Sequence, residues 1–207
     1  DSRSRTRSET PESEEEVPFD KEKAKAKVLR EIMINMKCLH IAQCMLQNIE
    51  GNLQDNMHLV TMLNNLVVPA VRSHEAPIRE RGLECLGLCC LLDKSLAEEN
   101  MSLFIHCFTK GHEGLQVTAI HILADMLSTH PSLLKPVVQS DGETVALPAF
   151  HRPLLKVFAK SLKHNSPASV QAASATALSK LLLTNTFTPS GPNVPESIKE
   201  LNESSVD

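Results

Sequence analysis

The sequence predicts an all-α chain, a solenoid of antiparallel helix pairs, on three observations. Segments 78–87, 115–124 and 170–179 can be laid on one another. Each opens with an aliphatic then a polar residue, carries a tiny residue (Gly82, Ala119, Ser174), and closes on leucine plus another tiny residue (Leu86-Gly87, Leu123-Ala124, Leu178-Ser179). Their starts lie 37 and then 55 residues apart (78 to 115, 115 to 170), a helical-repeat period followed by that period plus an insertion. Between them, apolar residues recur at spacings of three and four, the period of a helix with one buried face. Finally, aromatic residues make up 3% of the chain, with no Trp or Tyr, whereas Leu, Ala, Met, Ile and Val suit helix-on-helix packing.

The elements follow in order. Residues 1–20, rich in Ser, Arg and Glu with Pro11 and Pro18, have almost nothing to bury and read as a disordered acidic linker. A helix-pair array is expected over 21–184. Its leading helix, 24–48, has Val28, Leu29, Ile32, Met33, Met36, Leu39, Ile41, Cys44 and Met45 at helical spacing and ends at Gly51-Asn52. The first pair is 56–72 and 78–92, with Pro69 kinking or tightening the last turn of its first helix. A connector at 93–97 leads to the second pair, 98–109 and 115–129, which His130-Pro131 stops. Residues 131–149, with Pro136, Asp141-Gly142 and Pro148, read as a loop inserted between repeats. The third pair is 150–162 and 168–183, with Ser166 as cap and Pro167 at the first helical position. Residues 185–207 hold the breaker Thr188-Pro189-Ser190-Gly191-Pro192 and the start of one more helix. Starting at Asp1-Ser2-Arg3-Ser4, the chain reads as a piece excised from a longer one.

Composition narrows the function. A near absence of aromatics is unusual for an enzyme pocket or a base-stacking platform. No apolar run approaches the roughly 18 residues of a membrane span, so no membrane role is expected. The six cysteines (Cys38, Cys44, Cys85, Cys89, Cys90, Cys107) sit inside apolar helical patterns without a C-x-x-C. Reduced thiols filling a core outweigh a zinc site and point to the cytosol or nucleus. His106-Cys107 point about 100° apart on a helix, and no Gly-rich phosphate loop follows a strand. No catalytic residue, metal or cofactor is expected. The weaker enzyme reading, a redox or metal enzyme, would have to rest on the cysteines.

Charge is more informative. Net charge is −4, and residues 1–20 account for all of it with three Arg against seven acids. Residues 150–184 contain Arg152, Lys156, Lys160, Lys163 and Lys180 and no acid. At about 100° per residue the first four share one helix face, opposite Leu155, Val157, Phe158 and Leu162. A solvated face is the plainer reading. The functional one is a phosphate-contacting stripe, blind to sequence and sensitive to salt. In the acidic segment, Thr10-Pro11 is a minimal proline-directed kinase site and Ser13-Glu14-Glu15-Glu16 suits an acidophilic kinase.

The block Asn65-Leu66-Val67-Val68-Pro69-Ala70-Val71, followed by 78–93 with its Gly82-Leu83-Glu84-Cys85-Leu86-Gly87-Leu88-Cys89-Cys90 core, resembles the HEAT-repeat subunit 3 family of condensin. Phe104-Ile105-His106-Cys107, the 119–125 helix and 173–182 are similar too, so the resemblance covers roughly 28–184. It implies HEAT-type helix pairs and a kleisin subunit threaded along the solenoid groove. It further implies double-stranded DNA held without sequence preference, ATP hydrolysis left to the SMC subunits, and a nuclear, chromosomal role in mitotic condensation. Taking the groove to lie on the inner helices, the repeat register nominates Arg79, Glu80, Glu84, Gln116, Val117 and Gln171 as exposed kleisin contacts. The competing expectation is a HEAT scaffold of another complex (cohesin-associated, transport or phosphatase-regulatory) that binds protein only.

Overall fold

A computed structural model describes residues 18–135, 137–138, 145–146 and 148–186. The proposed linker 1–17 and the tail 187–207 lie outside the described residues.

Helix α1, Pro18–Leu46, starts inside the stretch read as linker and runs for 29 residues. A 3-10 turn at Leu53–Asp55 leads to α2, Met57–Met62, whose first amides are capped by the Asn56 side chain. A π turn over Leu63–Val67 joins α2 to α3, Val68–Val71. Pro69 was expected to kink or tighten this turn; instead the turn widens, with the Val68 amide bonded to the Leu63 carbonyl. One extra residue per turn keeps the proline ring off the carbonyl it would otherwise strike. Helix α4, Ala76–Leu92, follows with Pro77 in its first turn.

The connector expected at 93–97 shrinks to one residue. Asp93 accepts the Ser95 and Leu96 amides and starts α5, Lys94–Lys110, directly. Gly111 and His112 then separate α5 from α6, Glu113–Thr129. After a 3-10 turn at Pro131–Leu134, the loop insertion carries a minimal antiparallel pair, β1 Val137–Val138 and β2 Val145–Ala146. The sequence gives no convincing strand there, and the two-residue strands leave the all-α class unchanged. Helices α7, His151–Ser161, and α8, Ala168–Leu183, complete the array. Ser166 does not cap α8: its hydroxyl donates back to the Lys160 carbonyl, and Pro167 occupies the cap position. Asn185, in left-handed conformation at φ 52°, ends α8 ahead of the expected breaker.

The helices stack in two rows. Helices α1, α4, α6 and α8 lie side by side in one; α2–α3, α5 and α7 form the other, each packed on its following helix. One continuous core runs from Leu39 to Leu181, with Phe104 and Phe158 fully enclosed. The superimposed positions do equivalent work: Gly82, Ala119 and Ser174 are all buried, as are Leu86, Leu123 and Leu178. Gly82 faces the backbone of Ala70 and Val71 on its partner helix, which makes its lack of a side chain a packing requirement. Ser179, on the open side of α8, is exposed where its counterparts Gly87 and Ala124 are buried.

Candidate interaction surfaces

The basic stripe forms along α7 and the turn that follows it, with Arg152, Lys156 and Lys160 on the helix and Lys163 two residues past its end. Arg152, Lys156, Lys160 and Lys163 are exposed, while Val157 and Phe158 are buried and Leu155 and Leu162 half-buried beneath them, joined by the buried Leu154. None of the four cations forms an ion pair with another described residue. Lys180 differs. It sits on α8 and pairs at 2.5 Å with Asp125 of α6, an acid 55 positions away that the local charge count missed.

The six nominated kleisin contacts are brought onto the α4–α6–α8 row, but all are half-buried rather than exposed. Four spend their polar groups on the fold. Arg79 donates to the Ser73 and His74 carbonyls, closing the turn before α4. Glu80 meets His112 at 2.7 Å, linking α4 to the cap of α6. Glu84 accepts from Arg81 at 3.0 Å and Gln43 at 3.1 Å, while Arg81 also donates to Gln43, so a closed triangle ties α1 to α4. The Gln171 amide donates to the carbonyls of Lys163, His164 and Ser166, holding the α7–α8 turn. Val117 packs against the core, and Gln116 lies beside it.

A different set of side chains makes the cleft on this row. Gln43 and Gln47 of α1, Glu84, Gly87, Leu88 and Leu91 of α4, and Thr118, His121, Ile122 and Asp125 of α6 line a groove of about 220 Å³. Its floor is aliphatic and its rims carry amides, a hydroxyl and acids. Only Glu84 was nominated from sequence. The missed signal is helical spacing within each repeat, since 84, 88 and 91 share a face, as do 118, 122 and 125. Gly87 shapes the floor, because a β-carbon there would sit 2.9 Å from Ile122.

Cys38 and Cys44 lie exposed on α1, whereas Cys85, Cys89, Cys90 and Cys107 are buried. Burial is the main force pushing the thiols up, Cys85 to about 11 and Cys89 to about 12, with Cys90 and Cys107 also raised. Such thiols stay protonated, poor both as nucleophiles and as metal ligands. No group of three or more His, Cys, Asp or Glu able to hold a metal occurs among the described residues. Nor is any described helix long and apolar enough to cross a membrane.

Comparison with known proteins places this geometry. Residues 37–201 match the family described as nuclear condensing complex subunits, C-terminal domain. The chain belongs to the condensin subunit 3 family. A condensin complex subunit 3 from Schizosaccharomyces pombe is 50% identical over 101 residues, 49% of this chain and 12% of that protein. One from Saccharomyces cerevisiae is 35% identical over 151 residues, 73% of this chain and 14% of that protein. The crystal structure of the S. pombe condensin Cnd3–Cnd2 subcomplex is similar over 77% of this chain and 20% of the solved chain, at 37% identity and a TM-score of 0.64. The chain thus spans a small part of the length of the condensin subunits it resembles.

Proposed function

We propose that this section is a non-catalytic HEAT-repeat scaffold of condensin, acting in the nucleus on mitotic chromosomes. Its α1–α4–α6 cleft takes an extended kleisin segment, and the α7 stripe contacts DNA phosphates. The observation that carries the reading is the likeness to a subunit solved as a Cnd3–Cnd2 pair. The cleft supports it physically: Leu88, Leu91 and Ile122 offer apolar floor for alternate side chains, while the exposed Gln47 offers its amide to a peptide backbone. The SMC subunits supply ATP hydrolysis and are reached through the kleisin. Lys180, neutralised by Asp125, drops to a minor part of the DNA surface. Thr10 and Ser13 remain proposed phosphorylation sites, outside the described residues.

Two measurements test this on the intact subunit. Leu88→Glu with Ile122→Glu places two charges on the cleft floor and should abolish kleisin capture without unfolding the stack; undiminished capture removes the cleft from the proposal. Random-sequence duplex binding should fall with salt at a log–log slope that four phosphate contacts contribute to by about −3.6. Changing Arg152, Lys156, Lys160 and Lys163 to Ala should flatten the slope by that amount. An unchanged slope leaves α7 a solvated face and favours a scaffold that binds protein alone.

A further inference from the structure

Like charges aligned along one helix repel one another unless opposite charge lies close by. Arg152, Lys156, Lys160 and Lys163 are exposed and stand four, four and three residues apart. None of them pairs with a described acid. Arg152 also occupies the first turn of α7, which holds no acid and where a cation opposes the helix dipole.

The complementary charge lies in this same chain. After Thr186, the last described residue, residues 187–195 are uncharged and contain Pro189, Gly191, Pro192 and Pro195. Glu196, Glu200, Glu203 and Asp207 then recur at four, three and four, with Lys199 the one cation among them. Laid at about 100° per residue, the four acids fall within about 60° of one another. They span positions 196 to 207 and the cations 152 to 163, the same length of chain. At the same rise per residue, each acid meets a cation within about one residue of its own level.

Placement favours the match. The short turn between α7 and α8 makes them antiparallel, so α8 ends beside the start of α7, at Arg152. The stretch from Thr186 to Glu196 reaches about 33 Å when fully extended, ample for a neighbouring helix whose axis is about 8–10 Å away. The family match continues to residue 201, so the first part of the acidic tail belongs to the same domain as the stack.

The geometry points to residues 196–207 as a strap along α7, Glu196 at Arg152 and Asp207 at Lys163, which holds the stripe until DNA phosphates displace it. The competition rests on the DNA reading of α7; the seat of the strap does not. Residues 9–16 fit less well. Their five glutamates spread over about 220° of a helix and are tethered to α1, at the far end of the α1–α4–α6–α8 row. The cations of α1 suit the tail less well, since its outer face lies three helices along that row and Lys23 there already has a partner.

The test uses the full-length subunit. A carbodiimide joins a lysine amine to a carboxylate in contact with it, and mass spectrometry maps the joins. Joins from Lys156, Lys160 or Lys163 to the acids of 196–207 in the same chain are expected, fading as salt rises. Joins from these lysines to residues 9–16 or to a second copy instead overturn the inference. So does the absence of joins to 196–207, as when Ile198 and Leu201 seat the tail elsewhere and leave its acids in solvent. Glu196→Gln, Glu200→Gln, Glu203→Gln and Asp207→Asn together should raise affinity for random-sequence duplex at low salt by about three- to tenfold, because exposed ion pairs are individually weak. The gain should vanish once Arg152, Lys156, Lys160 and Lys163 are changed to Ala. No gain, or a gain that survives loss of those cations, overturns the competition. If loss of the cations leaves the parent's duplex affinity unchanged, the DNA reading of α7 fails by itself, and the joins decide the strap.

Discussion

Replacing Gly82 with alanine tests the packing rule on which the stack rests. On an isolated helix the change gains about 1 kcal/mol, since glycine is the poorer helix former by that amount. Here the new β-carbon would lie 2.8 Å from the Val71 amide nitrogen and 2.9 Å from the carbonyl carbon and β-carbon of Ala70. Carbon contacts are comfortable at about 3.5–4.0 Å. Two of the three atoms are backbone, at the end of the short α3 segment that Pro69 fixes, so α3 and α4 must part to relieve the clash. Overpacking of this kind costs about 1–3 kcal/mol. Clash therefore outweighs propensity, for a net loss of about 1 kcal/mol and at most about 2. Urea titration should show a lower midpoint at unchanged m-value, with the melting temperature down by about 2–4 °C per kcal/mol. Gly87→Ala is the control. The three atoms nearest its β-carbon all belong to the half-buried Ile122 side chain, which can turn aside, so propensity should roughly cancel the clash. A Gly82→Ala chain more stable than the parent would refute close helix approach as the reason for the small residues.

Asp93→Ala should cost about 1–2 kcal/mol, removing the α5 cap and the hydrogen bond that the exposed Gln54 amide donates at 2.6 Å. That amide's hydrogen bond is the chief cause holding the Asp93 carboxyl below its usual range. Its contribution is therefore complete above about pH 4 and drains as pH falls through the lower folded-state value; denaturation from pH 6 to 2 should show the acid-side slope reduced in the alanine chain. With a thiol reagent, Cys38 and Cys44 should label in the native state, while Cys85, Cys89, Cys90 and Cys107 wait for unfolding. Fast native labelling of any of those four would contradict their burial. Gln171→Ala should loosen the turn between α7 and α8, seen as faster amide exchange at Ser166 with the α4–α6 contacts unchanged.

The repeat register was legible because close helix approach restricts residue size directly: Gly82, Ala119 and Ser174 mark the crossings before any coordinates exist. Helix α8 ran as expected, 168–183, since alanine and leucine agree with both propensity and pattern there. Signals carried by a single polar side chain were harder to read. Asp93 looked like the start of a connector, yet one carboxylate accepting two amides starts a helix at the next residue. Ser166-Pro167 resembled a cap, but the hydroxyl had a nearer acceptor in the Lys160 carbonyl. In the insertion, Asp141-Gly142 between Val137-Val138 and Val145 was a hairpin signal read only as a breaker. The nominated groove residues are half-buried for a related reason: arginine, glutamate and glutamine reach their own turns and neighbouring helices, so polarity alone does not mark a free binding group.

The two proposed surfaces belong to different rows of the stack, the cleft to α1, α4 and α6 and the cations to α7. They share no lining residue, and the route between them crosses a closely packed core, with Phe104 and Phe158 fully enclosed. A core of that kind changes between discrete packings or hardly at all. Kleisin and DNA should therefore bind this section additively. Combining Leu88→Glu and Ile122→Glu with loss of the four cations of α7 and the turn after it should give a DNA-binding change within about 0.5 kcal/mol of the cation loss alone, measured as duplex affinity at one fixed salt concentration with the kleisin absent. Repeating the titration with the kleisin present separates a direct from an indirect role. If the cleft substitutions weaken DNA binding only when the kleisin is there, the kleisin itself carries part of the DNA contact, and this section contributes by holding it in place. Weakening in its absence would mean that the rows communicate, and the rigid-core argument would fail.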